Sequence, residues 1–492
     1  MNISALLYVD NDLTDSDLIF SDKFLPEEIK NILLSKKLFT SIKFAIPKNY
    51  NGKIKNNDCI RREDNDDVLF WKKTFADLGA DHIVKIFCDS AFLDTDILAE
   101  MINVHVKYLA EFTYSENLPA GYGCEIISKE LVDAIPETDE KTLPLGQVIK
   151  SNINRFDVEL FYKEPDIRNL RLSFRSGNPR ERQIMQNIVA IGGQIPKYSE
   201  VKKIIDNNPD VLYLSPSYVE IELTGRCDLD CIFCYRNTLK AEHGDMEIGL
   251  FRKILSDMKS FNLPYSVCFG GSGEPLMHKN FYEILDITRQ ENHIENIIIE
   301  TNGILADSNF KNYIINSKDK RIKLIFNING MDPDTYKTIH NSDHFNTVFQ
   351  NITSIKDSLS DNGIYIQIMK INETESFLDK YYDFWEKYKI PIILQKQNTF
   401  LGKIKDRSYS DLSPLERTPC WHLQRDLNIS SEGTMMFCKQ DVNGDYSRGN
   451  INNESIAQIF AKSKTSFLND YKKKFTTSPN CASCDEWYTF NL

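Results

Sequence analysis

The chain has 492 residues, a formal net charge of −12 and an ordinary composition, with 41% hydrophobic and 26% charged residues. The length allows two to four domains, and the acidic balance argues against a broad nucleic-acid or anionic-membrane footprint. The start, MNISALLYVDND, is acidic where a signal peptide needs basic residues, and no apolar run reaches a membrane span, so we expect a cytoplasmic protein. Eleven cysteines spread over so long a chain indicate free thiols in a reducing compartment.

Residues 1–185 read as a series of βα units without clustered cysteines. Apolar runs predict strands at Ala5–Val9, Ile42–Ile46 and His82–Cys88. The run that begins LGADHIVKIFCDSAFLDTDILAEMINVHVKYLAEF and the later NLRLSFRSGNPRERQIM resemble the cytidylyltransferases that activate acidic or coat sugars. The resemblance implies a nucleotide-diphospho-sugar-transferase α/β fold.

Two departures from that family predict lost catalysis. In place of a glycine-bearing, basic phosphate loop the chain has LLYVDNDLTDSDLIFSDKFLP, which is acidic and lacks glycine. The family holds magnesium between two carboxylates; Asp89 stands at the first position, but Arg175, which cannot ligate a metal, stands at the second. We predict a degenerate nucleotidyltransferase-like domain, residues 1–185, that binds or scaffolds, followed by a linker over 186–215. An intact sugar nucleotidyltransferase is the alternative, and Asp89 is equally interpretable as a strand-end cap.

Cys227, Cys231 and Cys234, in ELTGRCDLDCIFCYRN, can converge on one metal centre without a nearby fourth cysteine. Three ligands on a four-iron cluster leave one iron open, since such clusters normally take four cysteines. A zinc knuckle or three structural thiols are the alternatives, although zinc usually needs four ligands in paired spacing. The run resembles the CxxxCxφC motif of radical S-adenosylmethionine (SAM) enzymes, with Phe233 at the aromatic position near the adenine. The resemblance implies a [4Fe–4S] cluster that binds SAM and cleaves it to a 5′-deoxyadenosyl radical.

From Val219 onward, short apolar runs alternate with helical patterns, as in repeated βα units around a parallel sheet. The predicted strands are Val219–Leu223, Ser266–Phe269, Asn296–Ile299, Lys323–Asn327, Tyr365–Met369 and Ile392–Leu394. Six units fit the open (β/α)6 barrel of the radical SAM family, which we assign to residues 216–400. Parallel barrels carry their chemistry on loops after the strands, and the cysteine loop directly follows the first one.

The second strand leads into FGGSGEPLMHKNF, where Gly270, Gly271 and Gly273 would let backbone approach a ligand and Glu274 adds an acceptor. A plain strand-to-helix turn is the alternative. The segment resembles the family's GGEP motif, which implies that it holds the SAM amino group.

Two further strand ends predict contacts with SAM. The third strand ends in ETNG, where Glu300, Thr301 and Asn302 are similar to the family's ribose-binding segment, although Asn-Gly is first of all a turn. The fourth ends in FNINGMDPDTY, which resembles the SxDG segment with Asn327 in place of the serine and Asn329 in place of the aspartate.

Residues 401–492 contain a second set of cysteines: Cys420, Cys438, Cys481 and Cys484. The run LNISSEGTMMFC predicts a β-hairpin with Gly433 at the bend. Four thiolates can fully ligate a [4Fe–4S] cluster or a structural zinc ion. The set resembles the twitch, or truncated SPASM, extension of radical SAM enzymes, which implies one auxiliary [4Fe–4S] cluster that transfers electrons. Cys59, Cys88, Cys124 and Cys268 stand alone and are predicted to pack as buried thiols.

The chain combines a nucleotidyltransferase-like domain, a radical SAM barrel and a twitch extension, in that order. This architecture resembles that of the spirochaetal SPASM proteins. It implies a radical SAM oxidoreductase that abstracts hydrogen from an unidentified sugar or peptide, with a small flavodoxin- or ferredoxin-type reductant as partner and neither nucleic acid nor membrane. A nucleotidyltransferase, or a non-catalytic iron–sulfur or zinc scaffold, is the alternative.

Overall fold

A computed structural model describes residues 1–54, 58–63, 66–135, 144–240, 244–356, 358, 363–410 and 413–489. The chain divides into two compact units, Met1–Leu212 and Tyr213–Leu492, which we call the N-terminal and C-terminal units. Among the described helices, none combines the length and the apolarity that crossing a membrane requires.

The N-terminal unit contains, in its described residues, a mixed seven-stranded sheet and a small hairpin. The strands are β1 (Ile3–Tyr8), β2 (Ile19–Phe20), β3 (Lys23–Phe24), β4 (Ser41–Pro47), β5 (Cys59–Arg62), β6 (His82–Phe87), β7 (Phe112–Ser115), β8 (Glu125–Ser128) and β9 (Val158–Phe161). The order in the sheet is β5-β4-β1-β6-β8-β7-β9, and β2 pairs with β3. β1 runs parallel to β4 and β6, whereas β8 runs antiparallel to β6 and β7. The three predicted strands correspond to β1, β4 and β6.

Amphipathic helices cover this sheet. They are α1 (Leu25–Lys36), α2 (Val68–Leu78), α3 (Thr95–Lys107), α4 (Lys129–Ala134), α5 (Leu145–Ser151), α6 (Pro179–Gly192) and α7 (Tyr198–Asn207), with 3₁₀ turns at Ile153–Arg155, Arg168–Leu170 and Pro209–Leu212. In α2, Val68, Trp71 and Phe75 recur at helical spacing and are buried in the core against the sheet. The Asp67 side chain caps the start of α2, and Gly79 ends it in the left-handed conformation.

Most of the predicted linker over 186–215 is helical. Its first residues complete α6, which ends at Gly193 in the left-handed region, and most of the remainder forms α7 and a 3₁₀ turn. Ile188 of α6 and Val201 and Ile205 of α7 are fully buried, because both helices turn an apolar face to the core. The N-terminal unit therefore extends to Leu212.

The C-terminal unit is built on one large sheet. Its strands are β10 (Tyr218–Ile221), β11 (Tyr265–Phe269), β12 (Ile294–Thr301), β13 (Ile322–Asn327), β14 (Ile364–Lys370), β15 (Ile392–Lys396), β16 (Asp426–Ile429), β17 (Thr434–Met435) and β18 (Gly449–Asn450). The order is β15-β14-β13-β12-β11-β10-β16-β17-β18. Neighbours from β15 to β16 are parallel, and the last two pairs are antiparallel. The sheet is open, so the predicted α/β fold with a partial barrel is confirmed.

Helices follow the barrel strands and continue through the extension. They are α8 (Ile248–Lys259), α9 (Phe281–Arg289), α10 (Ser308–Ser317), α11 (Pro333–His340), α12 (Phe345–Lys356), α13 (Asn372–Glu375), α14 (Leu378–Glu386), α15 (Trp421–Arg425), α16 (Ile456–Tyr471) and α17 (Pro479–Ala482), with 3₁₀ turns at Tyr235–Thr238, Pro275–Met277 and Phe475–Thr477.

The barrel and the C-terminal extension share this sheet. β10 pairs in parallel with β16, so that Tyr218 lies opposite Asp426 and Ile221 opposite Ile429. The predicted hairpin is present as β16 and β17, and Gly433 at its bend has a φ of 81°. The predicted boundary at residues 400 and 401 therefore does not separate two compact bodies.

Candidate active site

The predicted cluster ligands Cys227, Cys231 and Cys234 line one cavity of about 220 Å³, which we call the triplet cavity. The cysteine loop follows β10, and the segments after β11, β12 and β13 add further walls. The residues predicted to contact SAM that line this cavity are Phe233, Gly270, Gly271, Gly273, Glu274, Glu300, Asn302, Asn327 and Asn329. The fold thus brings them together near the carboxyl ends of parallel strands, where open α/β sheets bind ligands.

Hydrogen bonds from other parts of the chain help to hold the cysteine loop in shape. The Arg236 guanidinium donates to the carbonyl oxygen of Cys227 at 2.9 Å and to that of Leu229. The backbone N–H of Ile232 donates to the carbonyl oxygen of Ile339 at 3.0 Å. The loop is therefore anchored to its own following turn and to the end of α11.

Each sulfur of the triplet has a nitrogen neighbour. The pairs are Cys227 with Nδ2 of Asn302 at 3.9 Å, Cys231 with Nδ1 of His340 at 3.0 Å, and Cys234 with the backbone N–H of Arg236 at 3.4 Å. Burial raises the pKa of the Cys227 thiol to about 11 and also raises the pKa of the Cys231 and Cys234 thiols. Because ligand thiols must ionise and buried thiolates are unfavourable without positive charge, ionisation of these thiols is coupled to metal binding.

Glu274 is a buried carboxylate that organises the neighbouring loop. It accepts hydrogen bonds from the Leu276 N–H at 3.1 Å, the Thr301 hydroxyl at 2.8 Å and the Asn302 N–H at 2.7 Å. Burial raises its pKa to about 7. Two carboxylate oxygens offer about four acceptor positions, so one remains for a ligand in the cavity that Glu274 lines. The contact of Glu274 with the SAM amino group stays a prediction.

Gly273 is also required by packing between two loops, while its predicted approach to a ligand stays a prediction. A Cβ atom there would lie 2.0 Å from the carbonyl oxygen of Thr224 and 2.7 Å from that of Arg226. The neighbouring Glu274 N–H donates to the same Arg226 oxygen at 2.8 Å. The loop after β11 is thus packed against the segment that precedes Cys227.

The other predicted SAM contacts divide into two groups. Thr301 is 1% exposed and is absent from the described residues that line the triplet cavity. Its hydroxyl donates to Glu274, so it supports a wall residue instead of forming the wall. Asn302, Asn327 and Asn329 do line the cavity and keep their predicted roles as predictions.

The four cysteines of the extension meet at a second, small cavity, which we call the four-cysteine cavity. Cys420 precedes α15, Cys438 follows β17, and Cys481 and Cys484 lie in and after α17. Burial raises the pKa of Cys484 to about 11 and of Cys438 to about 12, and neighbouring thiols add to the rise. All four cysteines line this one cavity, which is the observation that makes them candidates for a single site.

Unpartnered amides surround the four-cysteine cavity. Gln440 and Asn480 line it, and their buried side-chain nitrogen and oxygen atoms have no hydrogen-bond partner among the described residues. Buried amides of this kind normally have partners, and a cluster with its sulfur acceptors would supply some of them. The four thiols, together with the two amides beside them, therefore fit an iron–sulfur cluster. In the described part of the chain, no three His, Cys, Asp or Glu residues are arranged to hold a single metal ion.

A third cavity, of about 210 Å³, adjoins the other two, and we call it the inner cavity. It shares Glu300, Gln367 and Gln395 with the triplet cavity. It shares Lys439 and Glu486 with the four-cysteine cavity. The inner cavity thus lies between the two cysteine sites, which the sequence did not predict.

The walls of the inner cavity combine polar and apolar groups. Its apolar lining is Tyr218, Ile298, Ile325, Ile393 and Leu394. The polar wall contains Lys396 and Thr489 besides the shared residues. Burial, reinforced by the neighbouring Glu220, raises the pKa of Glu300 to about 7. Such a wall can hydrogen-bond a small polar group while an apolar floor excludes water.

Sequence reasoning missed three supporting residues: Glu222, Arg236 and His340. Glu222 accepts the backbone N–H of Ser272 at 3.1 Å and that of Ser431 at 3.2 Å, which ties the loop after β11 to the extension. Each of the three residues contacts either a backbone group or a partner that is distant in the sequence. No local sequence pattern therefore predicts its role. Only the position of Arg236, two residues after the last cysteine of the triplet, offered a signal.

Arg175 bridges two carboxylates at the strand ends of the N-terminal unit. Its Nη2 donates to Asp10, which follows β1, at 2.7 Å, and its Nε donates to Asp89, which follows β6, at 2.8 Å. Asp89 is buried, which raises its pKa although Arg175 opposes the rise. The single positive charge of this guanidinium is therefore shared between the two carboxylates.

The four isolated cysteines are mostly buried, as predicted. Cys88, Cys124 and Cys268 are buried, whereas Cys59 is half-buried. All eleven cysteines of the chain are free.

Comparison with known families and proteins places both cysteine sets in named domains. The model of the radical SAM superfamily matches residues 221–384, and the model of the SPASM iron–sulfur cluster-binding domain matches residues 420–485. An uncharacterized protein of Treponema pallidum is 25% identical over 365 residues, which cover 70% of this chain and 97% of that protein. A GTP 3′,8-cyclase of Clostridium botulinum is 28% identical over 182 residues, which cover 36% of this chain but only 54% of the cyclase.

Among solved structures, SuiB of Streptococcus suis bound to the precursor peptide SuiA is similar with a TM-score of 0.46 and 13% identity, over 69% of this chain and 82% of SuiB. The two matched domains imply the predicted cofactors, [4Fe–4S] clusters and SAM. The chain therefore carries a radical SAM domain, residues 221–384, followed by an iron–sulfur cluster-binding SPASM domain, residues 420–485.

Proposed function

We propose that this protein is a radical SAM oxidoreductase whose substrate binds in the inner cavity. The observation that carries the proposal is the shared wall: three residues border both the inner and the triplet cavity, and two border both the inner and the four-cysteine cavity. A substrate there would lie between the site of SAM cleavage and a second redox centre. That arrangement suits removal of a hydrogen atom and then of an electron, which amounts to oxidation.

We assign to individual residues the roles that the family resemblance implies. Cys227, Cys231 and Cys234 hold the first cluster, with Phe233 beside the adenine and Glu274 at the SAM amino group. When bound, SAM and the clusters supply a 5′-deoxyadenosyl radical and an electron acceptor. The chain positions both reactants and keeps water away from them.

The second cluster is held by the extension, and we assign it electron transfer. Cys420, Cys438, Cys481 and Cys484 supply four thiolates, the number that fully ligates a [4Fe–4S] cluster. Full ligation leaves no iron for the substrate, which favours electron transfer over substrate binding. Zinc is less favoured here, because the matched domain is an iron–sulfur domain.

The substrate class that the inner cavity favours is a small polar group on a sugar or a peptide. Gln367 and Gln395 offer amides that can both donate and accept, and Lys396 and Glu300 add charged or ionisable groups. A volume of about 210 Å³ is below the range typical of drug-sized ligands, so the group that enters is a single sugar ring or side chain.

The partner and the compartment follow from the redox chemistry. A flavodoxin- or ferredoxin-type protein would deliver the electron that starts SAM cleavage, as the family resemblance implies. Free cysteines throughout the chain support a reducing, cytoplasmic location.

For the N-terminal unit we propose a binding or scaffolding role without nucleotidyl transfer. Arg175 already lies between Asp10 and Asp89, where a metal-dependent enzyme needs free carboxylates. The acidic loop that contains Asp10 would also repel a triphosphate.

Release of 5′-deoxyadenosine tests the proposal directly. Anaerobically reconstituted protein given dithionite and SAM is expected to release it, and the variant with Cys227, Cys231 and Cys234 replaced by alanine is not. A matched control replaces three cysteines of the N-terminal unit, Cys59, Cys88 and Cys124, and should keep the activity. Equal release from all three proteins would refute the assignment.

A further inference from the structure

We propose that His340 is a positioning residue that donates a fixed hydrogen bond from Nδ1 to the Cys231 sulfur and thereby raises the reduction potential of the SAM-binding cluster. The inference rests on the proposed function, because it takes Cys231 as a cluster ligand. Its geometric basis is the 3.0 Å separation between Nδ1 and Sγ, within a buried part of the C-terminal unit.

The hydrogen-bond network assigns the proton to Nδ1. The backbone N–H of Asn329 donates to Nε2 of His340 at 3.0 Å, and the Asn329 side-chain amide approaches the same atom at 3.4 Å. Oδ1 of Asn329 accepts the Met369 N–H at 2.6 Å, so the end that faces the ring is the NH₂ group. Nε2 therefore faces two donors and must be the acceptor, which leaves the proton of a neutral imidazole on Nδ1, facing Cys231.

The ring is held in this orientation by its surroundings. His340 is the last residue of α11, and the ring of Tyr336, one turn earlier, lies with its centroid 4.3 Å away. Phe233, from the cysteine loop itself, meets the ring edge to face at 6.3 Å. A ring fixed on both sides can hold a donor in place without reorganising when the charge of the cluster changes.

Three consecutive residues at the end of α11 contact the cysteine loop. The carbonyl of Ile339 accepts the Ile232 N–H, His340 contacts Cys231, and Nδ2 of Asn341 donates to the carbonyl oxygen of Asp230 at 2.7 Å. Loop and helix end thus pair in opposite directions along the chain. The His340 contact is therefore one of three neighbouring contacts that position the cysteine loop.

Among the nitrogen contacts of the three sulfurs, the His340 contact is the shortest, at 3.0 Å against 3.4 and 3.9 Å. Hydrogen bonds to the ligating sulfurs are among the features that set cluster potentials. A donor stabilises the reduced cluster more than the oxidised one, because the reduced cluster carries more negative charge on its sulfurs. His340 therefore makes this cluster easier to reduce.

A redox titration of full-length, reconstituted protein followed by electron paramagnetic resonance tests the inference. The signal of the SAM-binding cluster is identified as the one that changes when SAM is added. His340→Leu removes the donor, whereas His340→Asn keeps an N–H near the Nδ1 position. His105→Leu is the matched control, since His105 is also buried and makes two ring hydrogen bonds, but in the N-terminal unit.

We expect His340→Leu to lower the ratio of reduced to oxidised cluster at a fixed potential by on the order of tenfold, with His340→Asn intermediate and His105→Leu unchanged. Loss of the cluster in His340→Leu alone, with retention in His340→Asn, also supports a donor role. An unchanged potential in His340→Leu, or equal behaviour of the Leu and Asn variants, overturns it. A wild-type protein without a SAM-responsive signal would instead refute the proposed function.

Discussion

Lys439 and Glu486 form an ion pair of 3.0 Å that borders both the inner cavity and the four-cysteine cavity. Burial opposes the charge on each partner, yet the pKa of Lys439 is raised and that of Glu486 is lowered, because each stabilises the ionised form of the other. The wall between the proposed substrate site and the proposed second cluster is thus an ion pair in which Glu486 is buried and Lys439 is half-buried. Lys396 approaches the same carboxylate at 3.8 Å and links this wall to the last barrel strand.

Breaking this pair should destabilise the protein. Lys439→Met leaves the buried Glu486 with Lys396 as a remaining cation and the Thr489 hydroxyl as a donor. Because Lys439 is itself half-buried, we expect the free energy of unfolding in urea to fall by about 3 kcal/mol, the lower end for broken buried pairs. The double variant Lys439→Met, Glu486→Met removes both charges and should recover most of the loss. Equal stability of the single variant and the wild type would show that the pair contributes nothing.

The iron content should reveal two clusters. We expect about eight irons per chain after anaerobic reconstitution, because each of two cysteine sets can hold one four-iron cluster. Alanine at Cys227, Cys231 and Cys234 should leave about four irons. Iron and sulfide analysis decides, and a triplet variant that keeps all its iron would contradict the ligand assignment.

Glu274 should matter more for SAM than for iron. Glu274→Ala removes an acceptor from the triplet cavity, and a hydrogen bond to a charged group contributes about 1.5–3 kcal/mol, so SAM affinity should fall roughly ten- to hundredfold. Glu274→Gln keeps the size and one carbonyl oxygen and should lose less. Equilibrium SAM binding and iron content are measured on the same samples. An unchanged affinity for SAM would favour the alternative interpretation of GGSGEP as a plain strand-to-helix turn.

The second cluster should be dispensable for SAM cleavage. Replacing Cys481 and Cys484 with alanine should leave 5′-deoxyadenosine release measurable, since the first cluster has its own ligands, while substrate oxidation falls much further. Side-by-side yields and thermal unfolding distinguish this from a structural site, whose metal contributes folding free energy. A parallel loss of both yields with early unfolding would favour the structural role.

The N-terminal unit should not form nucleotide sugars. In the full-length protein we expect weak or no binding of Mg-CTP by calorimetry, because Arg175 pairs with both Asp10 and Asp89. Arg175→Asp would free these carboxylates and add a third, and should bind Mg²⁺ more tightly than the wild type. Steady formation of a CMP- or CDP-sugar by the wild type would move the function to nucleotidyl transfer.

The sequence alone was sufficient to identify the two domain families and to predict the main strands. The spacing of Cys227, Cys231 and Cys234 is contained in eight residues, and apolar runs mark each barrel strand, so both signals are local. The hairpin around Gly433 was equally readable, because a glycine at a bend between apolar runs is a local signal too.

Only the tertiary structure decided how distant segments support the site. His340 lies 109 residues from the Cys231 that it contacts, and no periodicity in either segment predicts their meeting. The inner cavity is lined jointly by barrel residues and by Lys439 and Glu486 of the extension, whose first strand, β16, pairs with β10. The region predicted as a linker contains the end of α6 and all of α7. Burial of an apolar helix face depends on what packs against it, and a local pattern does not specify that partner.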